Sequence, residues 1–195
     1  MEPIQPAEGP KRLSWKKIGS FLKTYWRDFM FLFLSSGVIV VLDQWTKAWV
    51  RANVPLGADW PMPASLAWLE PYARIRHTYN TGAAFGLFQQ GGLIFAILAV
   101  IVSALIILYF PQTSRRDWWL RLALALQLGG ALGNLVDRIR FGPVTDFISV
   151  GNFAIFNVAD SCISVGVAIL ILGVWLMERK LKKEEKAKQL EATSE

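Results

Sequence analysis

Four long apolar blocks constrain this chain of 195 residues more than any single motif does. They cover 29–49, 93–110, 118–136 and 161–177. A helix needs about 20 mostly apolar residues to cross a bilayer, since backbone amides there must pair within their own segment. The blocks therefore read as four transmembrane helices. Charged residues make up only 18% of the chain, against about 25% in soluble domains. No second large soluble domain fits. The expected fold class is an all-α integral membrane protein with four transmembrane helices. A small extracytoplasmic β-rich segment is expected between helices 1 and 2, and an interfacial helix at the N-terminus.

Charge orients the set. The net charge is +6, with six Lys/Arg before Asp28 and six after Met177. Arg115 and Arg116 lie between the second and third blocks. Basic residues accumulate on the cytoplasmic side of membrane proteins, so both termini and the 111–117 loop are expected there. Their charge suits anionic lipid, and no nucleic-acid partner is expected. The chain has one cysteine, Cys162, and one histidine, His77. An internal disulfide and a Cys metal cluster are ruled out, and a Cys/His zinc site is not expected. The first apolar run has no small-residue cleavage site after it, so it reads as a retained span rather than a signal peptide.

The remaining segments separate by composition. Residues 1–28 are basic. Within them, 13–26 places apolar residues at helical spacing between lysines, the pattern of a helix lying on the membrane surface. Residues 29–177 form the membrane domain, and 178–195 are a charged cytoplasmic tail. Pro55, Pro61, Pro63 and Pro71 rule out a regular helix after the first span. Tyr72 to Tyr79 alternates and is β-prone. The 51–77 segment is expected to act as a lid.

On this topology the unusual polar residues converge. Asp43 and Lys47 lie near the outer end of span one, and Asn80 precedes span two. Asn134, Asp137 and Arg138 end span three. Asp146 lies in the following loop, and Asn157 and Asp160 begin span four. Charges at membrane depth are costly, about 2.5–3.5 kcal/mol each on insertion scales, so they should face one another inside the bundle.

Two carboxylates held close together share a proton. The ionised one can take a proton from water while the protonated one polarises a peptide carbonyl, which is the chemistry of an aspartic protease. Asp146 and Asp160 are the candidate pair. Which is base and which is acid stays open. Taken singly, each residue has a blander reading. Asp160 could cap a helix, Asp146 could close a turn, Asp137 and Arg138 could be an interfacial ion pair, and Asp43 and Lys47 could neutralise each other. These readings explain the one-sided clustering poorly. A Ser161–Lys47 dyad is weaker still, because Asp43 already neighbours Lys47. His77 and Cys162 read as structural, and Gly129, Gly130 and Gly133 as helix-packing residues.

The blocks Asp43-Gln44-Trp45-Thr46-Lys47, Asn80-Thr81-Gly82-Ala83-Ala84-Phe85-Gly86, Gly133-Asn134-Leu135-Val136-Asp137-Arg138 with Asp146-Phe147, and Phe156-Asn157-Val158-Ala159-Asp160 resemble the bacterial lipoprotein signal peptidase (signal peptidase II) family. The resemblance implies an aspartic endopeptidase of the inner membrane that removes signal peptides from prolipoproteins, cutting before a diacylglyceryl-modified cysteine. It implies Asp146 and Asp160 as catalytic. It assigns substrate binding or support of the pair to Asn80, Asn134, Arg138, Asn157, Asp43, Lys47 and Asp137. It implies no cofactor, inhibition by globomycin-type peptides, and a monomer amid membrane lipid. The competing reading is a proton-linked transporter or channel that uses the aspartates as a relay.

Overall fold

The computed structural model describes residues 15–82, 88 and 91–193. Its elements are α1 (Trp15–Asn53), β1 (Ala73–Asn80), α2 (Gly92–Tyr109), α3 (Trp118–Arg140), β2 (Val144–Val150) and α4 (Val158–Thr193). Short 3-10 turns cover Ala64–Leu69 and Phe110–Gln112. Among the described residues, four helices are long and apolar enough to cross a membrane: Lys23–Asn53, Gly92–Gln112, Trp118–Arg140 and Val158–Glu185. The protein is a multi-pass membrane protein.

Helix α3 is the hub. In its most apolar window 61% of residues are buried, against 11–22% in the other three spans. Its small residues make that possible. A Cβ on Gly129 would sit 2.7 Å from the Ile39 side chain of α1, and one on Gly130 would sit 2.5 Å from the Ala159 carbonyl oxygen of α4. Glycine on these two faces lets both neighbours approach the α3 backbone, as expected from the sequence. The outer faces of α1, α2 and α4 keep Leu34, Val41, Leu93, Leu105, Ile171 and Leu172 exposed, an arrangement stable only in lipid.

The basic stretch expected as a separate surface helix falls on α1, which runs unbroken from Trp15 into the first span. Its 39 residues extend about 58 Å, well beyond a hydrocarbon core of about 30 Å. Helix α4 likewise continues through the charged tail to Thr193.

The β-prone stretch is a strand, but its partner comes from elsewhere. Strand β1 pairs antiparallel with β2, from Ala73↔Val150 to Asn80↔Val144. The sheet therefore joins the α1–α2 connection to the α3–α4 connection. The 58–60 backbone adds to β1 through Trp60 N–H to the Ile75 carbonyl (2.8 Å) and His77 N–H to the Ala58 carbonyl (3.1 Å). Much of the expected lid is thus hydrogen-bonded into the sheet. Val50, Val54 and Phe147 form a buried core between the end of α1 and the sheet, with Trp60, Ile75 and Val158 packed against it.

At the opposite end of the bundle lies a second polar cluster. Asp28 is buried and accepts from Arg115 (2.9 and 3.0 Å) and from Arg121 (2.8 Å). The Arg121 guanidinium also lies 4.4 Å from the Phe110 ring centre. Near the start of a span, Arg121 could have reached out to lipid headgroups; instead it is buried, because Asp28 of α1 meets it inside the bundle. An apolar layer of Leu32, Ile106, Phe110, Leu124, Ala125 and Leu128 packs at this end.

Candidate active site

Asn157 and Asp160 begin α4 as a reciprocal cap. The Asp160 backbone N–H donates to Asn157 Oδ1 (2.9 Å), and the Asn157 backbone N–H donates to Asp160 Oδ2 (3.2 Å). This is the capping-box arrangement, with two helix-start residues satisfying each other's orphan donors. The capping role of Asp160 and its place in the cluster are therefore compatible, since its other oxygen, Oδ1, faces α3 and accepts from Asn134 Nδ2 at 2.7 Å.

Asp146 is presented by β2, not by a turn. It is buried and accepts from Asn157 Nδ2 (2.7 Å) and from Asn80 Nδ2 at the end of β1 (3.0 Å). Asn80 is positioned by the strand pairing and by Gly82 N–H, which donates to its Oδ1 at 2.9 Å. Asn157 thus touches both carboxylates: its side chain holds Asp146 and its backbone holds Asp160. Burial pushes the Asp146 carboxyl up to about 6, and the neighbouring Asp160 charge adds to the rise.

Behind the pair lies a buried ionic layer. Lys47 Nζ sits 2.8 Å from Asp43 Oδ2, 3.3 Å from Asp137 Oδ2 and 2.9 Å from Asn134 Oδ1. Lys47, Asp43 and Asp137 are fully buried. Arg51 approaches Asp137 at 3.8 Å and donates to Thr145 Oγ1 at 2.8 Å. Two carboxylates and two cations make the layer neutral, which limits the cost of burying it. Asp43 also accepts the Ala159 N–H (3.0 Å) and Asp137 the Thr145 N–H (2.9 Å), so each fixes the backbone next to one carboxylate of the pair. Glycine at 133 is required here: a Cβ would lie 2.7 Å from Asp43 Oδ2.

Arg138 is placed differently. It does not pair with Asp137; among the described residues its guanidinium has the Phe95 ring, 5.4 Å away, and no hydrogen-bond or ion-pair partner. It lines a pocket of about 540 Å³ together with Asn80, Asn134, Asp146, Asp160 and Ser161. Phe95 of α2, Phe153 and Phe156 of the β2–α4 connection, and Ile163 and Val165 of α4 make the apolar wall. Polar groups converge at one end of a largely apolar cavity, the usual build of a site for an amphiphilic ligand.

All nine residues singled out in the sequence meet around this pocket or in the layer behind it. Ala83, Ala84, Phe85 and Gly86 lie outside the described residues. Three contributors were missed: Gln44, whose Nε2 lies 3.1 Å from Asp43 Oδ2, 3.0 Å from Asp137 Oδ1 and 3.0 Å from the Gly133 carbonyl oxygen; Arg51; and the fully buried Thr145. Gln44 directly follows Asp43 and could have been found; nothing local marks Arg51 or Thr145. The Ser161–Lys47 dyad does not form, since Ser161 Oγ donates to the Asn157 carbonyl (3.0 Å) and Lys47 is held by the ionic layer. His77 is buried and anchors the 54–58 connection through Nδ1, 2.8 Å from the Val54 carbonyl oxygen.

Fold and site together define a polytopic membrane protein with a buried carboxylate pair at one end of its bundle, facing an amphiphilic pocket. The family described as Signal peptidase (SPase) II matches residues 35–176. The chain is 41% identical to the lipoprotein signal peptidase of Halalkalibacterium halodurans, over 81% of this chain and 100% of that one. It is 39% identical to that of Streptococcus thermophilus, over 72% and 89%. Two structures described as a bacterial membrane enzyme superpose with TM-scores of 0.67 and 0.64 at 28% identity. They cover 74% and 73% of this chain, and 87% and 91% of their own. The chain belongs to the signal peptidase II family and is a membrane peptidase.

Proposed function

We propose that this protein removes signal peptides from bacterial prolipoproteins. It cuts just before a diacylglyceryl-modified cysteine, with Asp146 and Asp160 as an aspartic pair. One observation carries the reading: Asn157 holds both carboxylates at the polar end of a pocket whose other wall is apolar. A lipid-anchored peptide has this same polarity, acyl chains on one side of the scissile bond and polar backbone on the other. Relatives bearing the name lipoprotein signal peptidase support the substrate class.

The chemistry follows from the pair. With one proton between them, the ionised carboxylate accepts a proton from water as its oxygen attacks the carbonyl carbon. The protonated carboxyl donates to the carbonyl oxygen. Collapse of the tetrahedral species breaks the C–N bond, and the nitrogen leaves with a proton from the pair. Arg138, Asn80 and Asn134 supply donors at the pocket wall for substrate carbonyls. Asp43, Lys47 and Asp137 support the pair from behind. The site belongs at the outer face of the inner membrane with both termini cytoplasmic, in line with the basic residues at the other end of the bundle. A globomycin-type peptide would occupy the same pocket.

A proton relay is disfavoured. The Asp28–Arg121 cluster and the site sit at opposite ends of the bundle, and the apolar layer around Leu32, Phe110 and Leu128 packs at the Asp28 end. The deciding experiment incubates purified protein in detergent with a diacylglyceryl-modified prolipoprotein. Cleavage before the lipidated cysteine is expected, with losses of at least about 100-fold in Asp146→Asn and in Asp160→Asn. Full activity in either variant, with the protein folded, would refute the pair.

A further inference from the structure

Lys47 reaches the carboxylate pair through one amide. Its ammonium has three donors, and three acceptors surround it: Asp43 Oδ2, Asp137 Oδ2 and Asn134 Oδ1. Asn134 Oδ1 also accepts from Asn157 Nδ2 at 3.1 Å, which fills both of its lone pairs. The amide therefore has one orientation. Turned over, its NH₂ would face an ammonium and a second NH₂, while its oxygen would face the Asp160 carboxylate. As it stands, Asn134 Nδ2 points at Asp160 Oδ1 from 2.7 Å. A cation on the oxygen of an amide draws electron density from its nitrogen and strengthens that N–H as a donor.

The two carboxylates are consequently unlike. Asp160 accepts from this polarised amide and from a backbone N–H at the start of α4, where the helix dipole favours negative charge. Asp146 accepts from the side-chain amides of Asn80 and Asn157, whose oxygens, among the described residues, accept from backbone N–H groups rather than from a cation. Among the described residues, Lys47 makes no direct contact with either member; it reaches the pair through the Asn134 amide, which donates to Asp160 and not to Asp146. We propose that Lys47 is a positioning residue which, through Asn134, makes Asp160 the ionised member of the pair and leaves the shared proton on Asp146.

The assignment rests on the reading of Asp146 and Asp160 as the water-activating pair, and it completes the proton balance. Asp160 takes a proton from water as the water oxygen bonds to the carbonyl carbon, and Asp146 gives its proton to the carbonyl oxygen. On collapse, Asp160 protonates the leaving nitrogen as the C–N bond breaks, and Asp146 recovers a proton from the diol hydroxyl. Both groups return to their starting states.

Two measurements test it. The first is a kinetic cycle of Lys47→Met, Asn134→Ala and the double variant on the lipidated substrate. Lys47→Met is expected to lower kcat at least about tenfold with KM within about twofold. In the Asn134→Ala background it should lower kcat by less than about twofold. Losses that multiply would mean that Lys47 serves only Asp43 and Asp137, and would overturn the proposal. Lys47→Met strands a buried carboxylate, so the cycle is repeated with Asp43→Asn present throughout. The second is infrared spectroscopy at about pH 5. A deuterium-sensitive protonated-carboxyl stretch should vanish in Asp146→Asn and persist in Asp160→Asn; the reverse pattern overturns the assignment. Activity surviving in these two aspartate variants would instead sink the underlying reading of the pair.

Discussion

Asp146 carries a cost on folding. Its carboxyl is pushed from 3.8 to about 6 on folding. Between those values the unfolded chain ionises while the folded one keeps its proton, so stability falls as pH rises through that window. The difference corresponds to about 3 kcal/mol at pH 7 and above. Asn cannot ionise but can still accept one of the two amide hydrogen bonds. The melting temperature of Asp146→Asn relative to wild type should therefore climb between about pH 4 and 7 and level off above. A pH-independent difference in detergent melts would mean that Asp146 does not titrate in this range. Gly142 makes a separate demand. Its φ of +87° turns the chain from α3 toward β2, and Gly142→Ala should cost about 1–2 kcal/mol through the left-handed backbone alone.

At the level of elements, α3 positions the site by holding α1 and α4 against opposite faces. A methyl group at Gly130 meets the carbonyl of Ala159, one residue before Asp160, and backbone cannot move aside as a flexible side chain can. Gly130→Ala should cost about 1–3 kcal/mol and displace the start of α4, so kcat falls further than stability alone would explain. Wild-type kcat in a destabilised Gly130→Ala protein would show that α4 tolerates the shift. The Asp28 cluster invites the opposite expectation. Asp28→Ala strands the buried Arg121, at about 3–5 kcal/mol. It lies at the far end of the bundle, so cleavage by the folded fraction should stay within about twofold of wild type when activity is normalised to folded protein.

For the molecule as a whole, the pocket wall formed by Phe95, Ile163 and Val165 draws on helices that otherwise face lipid. A substrate peptide without acyl chains gives up contact with this wall, where burial contributes about 0.8 kcal/mol per CH₂. Its kcat/KM should fall at least about 100-fold; equal turnover of lipidated and unlipidated peptides would remove the apolar wall from the recognition scheme. Orientation is open to a separate check. Reporters fused after Glu195 should be cytoplasmic and those placed between β1 and Asn53 external, with the reverse result inverting the topology.

Much of this was legible in the sequence because bilayer chemistry leaves a chain few options. Apolar length set the four spans, and the cost of charge at depth drew Asp43, Lys47, Asn80, Asn134, Asp137, Arg138, Asp146, Asn157 and Asp160 into one cluster. Periodicity likewise marked β1. What stayed hidden depended on who meets whom. The partner of β1 lies about 70 residues away on β2, and strand pairing over such a separation has no local signature. Nothing local to Arg121, near the start of its span, marks Asp28 of α1 as its partner. Asp160 does cap α4 and Asp43 does pair with Lys47, and both contacts lie within the same polar cluster, where Lys47 donates to Asn134. Segment by segment, the sequence determined which residues could not face lipid. Only the packing of α1, β1, β2 and α4 around α3 decided which of them face one another, because hydrogen-bond geometry is set to within tenths of an ångström by elements far apart in the chain.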